Sequence, residues 1–263
     1  MVSARQAKYN ARKRELNNQL NELPIFAPQN KYRIYHINRS TSPMILHNLI
    51  QVARATTTIT IDTETDYYTH EPALIQIELI GTPSIVLLFE TCHLPGPSSV
   101  LFWLMKSLLK IIFNSSNSLY SWGDAKQELK DFIQYGLFSL ETILRINNID
   151  VQKRFKIWHH NHVQFDFSPS SLHQMPIIDK YSQKSIKDVN HKWSLQMAVA
   201  YVFDEFLDKR HTKSHWARLL DVNSIEKQSV VNAQEKKTIH KMIQYAVNDC
   251  LSVTNLVHVL YLH

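Results

Sequence analysis

The chain has 263 residues, 44% hydrophobic and 20% charged, a balance that excludes disorder over most of the length and suits one sizeable α/β domain with extensions. Lysine and arginine outnumber aspartate and glutamate by 29 to 23, which fits a polyanionic partner without requiring one. Two distant cysteines, Cys92 and Cys250, point to a reducing intracellular setting with no disulfide framework, and the most apolar stretch, 100–113, is broken by Lys106 and Lys110 and too short to span a bilayer.

Residues 1–30 carry Arg5, Lys8, Arg12, Lys13 and Arg14 before the first acid, Glu15, and show no core pattern before Leu23-Pro24-Ile25-Phe26. A solvated basic extension is expected there, with an organellar address or a basic arm on nucleic acid as the other readings. The folded domain is expected over 31–263. It opens with a strand at 32–37 and a helix at 43–53, which Thr41 or Ser42 can cap and Pro43 can start. Three β-rich runs follow at 57–64, 74–80 and 85–89, and their short connections predict antiparallel neighbours.

Beyond them helix and strand alternate. The pattern predicts a buried helix over 98–113, a short strand over 119–122, a helix over 124–135 closed by Gly136, and another short strand between 137 and 149. Residues 159–192, with His159, His160 and His162, read as a long surface loop or insertion, and no second ligand pair is spaced to close a zinc site there. Helices are predicted over 193–206 and 235–262. Three antiparallel strands followed by αβα units describe an α/β fold with a mixed sheet flanked by helices.

Acidic residues recur at three places in this frame. In Ile59-Thr60-Ile61-Asp62-Thr63-Glu64, the spacing of two places Asp62 and Glu64 on one face of a strand while Ile59 and Ile61 enter the core. Adjacent anions repel, so the pair suggests a divalent cation; a strand that reaches solvent on one face is the bland alternative. Asp124 follows Gly123 at a helix N-terminus, where a plain N-cap is the competing reading. Tyr245 and Asp249 lie one turn apart on the last helix, which could equally be an ordinary surface face.

Taken in order, Asp62 with Glu64, Asp124, and Tyr245 with Asp249 resemble the three motifs of the DEDDy 3′-to-5′ exonuclease family, to which ribonuclease D and the Werner-syndrome exonuclease domain belong. Ala73-Leu74-Ile75-Gln76-Ile77, Leu129 with Phe132, and Ser214-His215-Trp216 are similar to the corresponding family segments. The resemblance covers roughly residues 31–262. Gln244 stands where the histidine branch of the family would carry its His, so the tyrosine branch is the consistent one.

The resemblance implies an RNase H-like fold and a hydrolase that removes nucleotides from the 3′ end of DNA or RNA. It implies two magnesium or manganese ions held by Asp62, Glu64, Asp124 and Asp249, with Tyr245 orienting the attacking water. The implied partner is a single-stranded or frayed nucleic-acid end, and no membrane is involved. Lys209, Arg210, His211, Lys213 and Trp216 could line its path, or could form a solvated basic loop with Trp216 in the core. The alternative function is a nucleic-acid-binding module that keeps the fold and has lost turnover.

Overall fold

The run Thr-Ile-Thr-Ile is stiff at χ1 and suits a pleated surface, and in the computed structural model it opens strand β2, Thr58–Thr65. The structure describes residues 11, 15, 18, 20–165, 191–226 and 232–261. These fall into two compact units, one of 28–151 with 209–263 and one of 1–27 with 152–208.

The first unit is built on a six-stranded sheet. Its strands are β1 (Tyr32–Ile37), β2, β3 (Pro72–Leu79), β4 (Ser84–Glu90), β5 (Ser118–Ser121) and β6 (Asn147–Asp150), in the order β1-β4-β3-β2-β5-β6. The expected antiparallel trio is present, with β3 between β2 and β4. The other pairings, β1 with β4, β2 with β5 and β5 with β6, are parallel. Every residue of the central β3 is buried, which explains its nearly continuous apolar reading.

Period-two alternation divides the two sheet faces. Ile59, Ile61, Ile75, Ile77 and Leu79 join one apolar core with helices α1 (Pro43–Arg54) and α2 (Val100–Ile112), through Leu46, Leu49, Phe102, Met105 and Leu109 among others. Burying each such side chain stabilises the fold by about 1.5–3 kcal/mol. Ser99 caps α2 by accepting from the Phe102 N–H, whereas Ser42 stands at the N-cap of α1 without a side-chain bond. Thr41 instead bridges the Asn38 N–H and the His36 carbonyl.

After β5 the expected helix divides into a short α-helix, α3 (Ala125–Leu129), and a 3₁₀ stretch, Lys130–Tyr135. Gly136 ends it as expected, in the left-handed region at φ 71°. Helix α4 (Leu140–Arg145) then leads into β6.

The opposite sheet face is covered by the last long helix. The first unit also holds α7 (Val222–Glu226) and α8 (Ala233–Val259), which follow the second unit's helices in the chain. Asn232 caps α8 by accepting from the Glu235 N–H at 2.8 Å. Helix α8 packs on β2, β3 and β5, and Thr254 at the contact bonds both Thr60 at 2.7 Å and the buried Glu78 at 2.5 Å. Polar side chains of β2 and β3 are therefore directed at α8, which is the face that Asp62 and Glu64 share.

In the second unit, α5 (Val151–Phe165) carries Phe155 and His159 against Trp193 and Tyr201, the latter on α6 (Leu195–Phe203). Residues 159–165 are thus helical rather than part of a loop; the rest of the expected insertion up to 190 lies outside the described residues. Leu20 and Phe26 are buried, and Phe26 and Pro24 are hydrogen-bonded to Phe206. The end of the stretch read as a solvated extension therefore belongs to this unit's core. Among the described residues, no helix is long and apolar enough to cross a membrane.

Candidate active site

Strand β2 and helix α8 bring three of the expected carboxylates together. Asp62, Glu64 and Asp249 each offer an oxygen within 4.8 Å of the others. Asp249 lies on the part of α8 that faces the sheet and is 1% exposed. Its Oδ2 accepts a 2.5 Å bond from Lys209 Nζ, while its buried Oδ1 has no hydrogen-bond partner.

Crowded carboxylates in a poorly solvated place favour the protonated form. Burial, then the charge of Asp249, pushes the Asp62 carboxyl up to about 8, against the pull of Lys209. Burial and the charges of Asp62 and Asp249 hold Glu64 well above the ordinary carboxylate range. Burial also raises Asp249, against the charge and hydrogen bond of Lys209 and the influence of the Tyr245 hydroxyl. Lys209 responds in the complementary sense: burial lowers its pKa, but Asp249 and Asp62 outweigh this and raise it.

Tyr245 stands one turn before Asp249, as the spacing predicts. Its hydroxyl bonds Thr212 Oγ1 at 3.0 Å, and its ring meets Trp216 at 5.7 Å and Lys209 Nζ at 5.0 Å. Burial, reinforced by the charges of Asp249 and Glu64, raises its phenol above the usual range. Trp216 is itself buried, so of the two readings of the basic loop its indole takes the core one and offers no face to a base.

Asp124 is placed differently. It is exposed at the N-cap of α3 and accepts from the Lys126 N–H at 3.0 Å, and it does not join the group of three. The acid that comes closer in its electrostatics is Glu128, one turn on. Glu128 is half-buried, its charge acts on both Asp62 and Glu64, and among the described residues its side chain has no hydrogen bond or ion pair. Burial, then Asp124 and Asp150, pushes its carboxyl up to about 7.

The local fold explains that position. Gly123, at φ 124°, turns the chain sharply after β5, and Asn148 of β6 accepts from the Ala125 N–H while donating to Leu119 and Ser121. Ala125 and Leu129 are thereby fixed inward, and Glu128 flanks them. The i, i+3, i+4 spacing of Ala125, Glu128 and Leu129 carries this placement in the sequence, while Asp124 fits the N-terminal signature on which the fourth carboxylate is expected.

Asp66 was also missed. It is fully buried and accepts from the N–H groups of Tyr68 and Thr69 at 2.9 Å, of Ala217 at 2.8 Å and from His215 Nδ1 at 2.6 Å. Burial opposes its ionisation, but these donors outweigh burial and hold the carboxyl well below the ordinary range. Asp66 therefore fastens the end of β2 to the loop 209–217, whose other end carries Lys209 and Thr212.

No protein-family model matches the chain, and no curated protein matches it by sequence. Solved structures do. The Aedes aegypti Nibbler EXO domain matches with a TM-score of 0.50 at 14% identity, over 88% of this chain and 89% of that one. Trypanosoma brucei RNase D in complex with RNA U12 matches with a TM-score of 0.51 at 12% identity, over 88% of this chain and 63% of that one. At such identities the likeness carries the fold and nothing finer: this chain has the RNase H-like fold of the DEDDy-type 3′-to-5′ exonuclease domains.

Proposed function

We propose that this protein is a metal-dependent 3′-to-5′ exonuclease that hydrolyses phosphodiester bonds at the 3′ end of single-stranded or frayed DNA or RNA. One observation carries the reading: three carboxylates from two elements converge within 4.8 Å, with Tyr245 one helical turn from the third. The donor set fits hard divalent cations, since it is all oxygen and leaves Asp249 Oδ1 buried and unpartnered. Asp62, Glu64 and Asp249 would hold two magnesium or manganese ions. The β5–α3 turn would supply a fourth carboxylate from Asp124 or Glu128, and the charge of the half-buried Glu128, which acts on both Asp62 and Glu64, favours the latter. Such ions lower the pKa of an attacking water and stabilise charge on the departing 3′ oxygen.

The chain's own groups do the positioning. The Tyr245 hydroxyl orients the water, and its ring is held by Trp216 and Lys209. Lys209, already on Asp249, places a positive charge at the edge of the carboxylate group where a phosphate would enter. The RNA in the T. brucei RNase D complex supports a nucleic-acid partner for this fold.

The test uses 5′-labelled DNA and RNA strands of matched sequence, with magnesium, manganese or chelator, beside a closed circle. Stepwise shortening from the 3′ end that chelator stops is expected. Binding without metal-dependent release of mononucleotides would leave a nucleic-acid-binding module, and efficient linearisation of the circle would withdraw the exonuclease reading.

A further inference from the structure

Immediately beyond Glu64 the chain presents two tyrosines to solvent. Tyr68 is 70% exposed and Tyr67 46%, although large aromatic rings usually find cover in a monomer. They are not loose. The backbone N–H of Tyr68 is bonded to Asp66, and that of Tyr67 to the Ser214 carbonyl at 3.1 Å. The rings meet edge to face at 5.4 Å, Tyr68 meets the His215 ring at 5.9 Å, and Lys213 Nζ lies 5.3 Å from the centre of the Tyr67 ring.

Both supports of this cluster lead directly to the carboxylates. Tyr67 follows Glu64 by three residues, and Lys213 follows Lys209 by four, a span of at most about 14 Å of extended backbone. Lys209 is bonded to Asp249 and Thr212 to Tyr245. The loop is also uniformly basic: residues 209–220 include Lys209, Arg210, Lys213 and Arg218 and no acid. Fixed, exposed π-faces interleaved with cations on the approach to a site for phosphodiesters match a path for unpaired nucleotides, because every base can stack and every phosphate needs a cation. An apolar protein segment would gain little from the lysine and histidine that border both rings.

We infer that Tyr67, Tyr68, Lys213 and His215 form a stacking platform that binds the bases and backbone of a single strand upstream of its 3′-terminal dinucleotide. The inference rests on the exonuclease reading and adds to it a subsite: strands several nucleotides long are held upstream of their end, without base preference. Asp66 sets the platform's geometry through His215 and the Tyr68 N–H, and itself faces no solvent.

The test measures anisotropy of 5′-labelled oligonucleotides from two to twelve residues, with calcium replacing the catalytic ion, together with 2-aminopurine placed at successive positions from the 3′ end. Tyr68→Ala and the pair Tyr67→Ala with Tyr68→Ala should weaken binding of the longer strands by about tenfold or more while leaving the dinucleotide unchanged. Tyr68→Trp should restore affinity, and wild-type protein should quench 2-aminopurine most at two or three positions upstream of the end. Circular dichroism and cleavage of the dinucleotide check that the variants are folded. Wild-type binding matched by the alanine variants at every length would overturn the platform and leave the exonuclease reading standing. A wild-type protein that neither binds nor shortens any strand would overturn both.

Discussion

Asp124 and Glu128 lie one helical turn apart in opposite electrostatic situations. Asp124 is exposed and its carboxylate is engaged with the Lys126 N–H; Glu128 is half-buried, feels the charges of Asp62, Glu64, Asp124 and Asp150, and has no ion pair among the described residues. A half-buried anion surrounded by anions is unfavourable unless a cation arrives. Glu128→Gln is therefore expected to reduce single-turnover cleavage as severely as Asp62→Asn or Asp249→Asn. Asp124→Asn should keep the rate within severalfold, since Asn also caps helices well. A severe loss in Asp124→Asn with near-normal Glu128→Gln would return the fourth position to Asp124. Tyr245→Phe keeps the ring against Trp216 and Lys209 but loses the hydroxyl, so a rate loss of about a hundredfold is expected from the misplaced water. An unchanged rate would remove Tyr245 from the chemistry. The placement of Asp62 beside Glu64, and of Tyr245 one turn before Asp249, was legible because periods of two and four residues dictate which side chains share a face. Glu128 was not, because its place depends on a turn at Gly123 and on bonds from Asn148, which is distant in sequence.

Elements were legible where one periodicity ran unbroken, as in β2, β3, α2 and α8. They were not legible where long-range bonds overrode the local pattern. Continued alternation from Asp62 and Glu64 would place Asp66 on the same face, but the register shifts after Glu64 and Asp66 turns into the anchor of loop 209–217. The histidines at 159–162 suggested a loop, yet Phe155 and His159 stack at 6.2 Å along α5. Replacing Asp66 by Asn removes charge-assisted bonds from four donors, including the Ala217 N–H. Asp66→Asn should thus destabilise the protein by roughly 1–3 kcal/mol, read as a lower urea midpoint at constant slope. It should also impair cleavage, because the loop that positions Lys209 and Thr212 loses its far attachment. An unaltered midpoint would show that Asp66 holds nothing in place.

At the scale of the whole molecule, buried ionisable groups couple folding to pH and to ions. Burial, helped by His160 and His162, lowers the His159 imidazole to about 4, below an unfolded value of about 6.5. Here the unfolded state binds the extra proton, so this stabilisation is present above pH 6.5 and is lost as pH falls toward 4. His159→Phe, which keeps an aromatic ring beside Trp193 and Tyr201, should lose less stability than wild type between pH 7 and pH 5; equal losses would contradict the buried neutral imidazole. The carboxylate group acts in the other direction. Asp62 is raised to about 8, so the folded state without ions holds protons that the unfolded chain has released, and its stability falls as pH rises from about 4 through 8. A divalent ion bound by Asp62, Glu64 and Asp249 would replace those protons and relieve the repulsion, so its affinity and its stabilising effect should both grow with pH. At an ion concentration about a hundred times the dissociation constant, linkage gives about 2.7 kcal/mol. For a chain of this size that corresponds to a rise of roughly 5–10 °C in Tm. Thermal unfolding with magnesium or manganese should show this rise at pH 8, a smaller one at pH 6, and none with chelator. Asp249→Asn should abolish the ion-dependent rise while unfolding at a temperature no lower than the ion-free wild type, because it removes one member of the repulsive group. A rise of equal size in Asp249→Asn, or none with either ion in wild type, would show that these three carboxylates do not form the ion site.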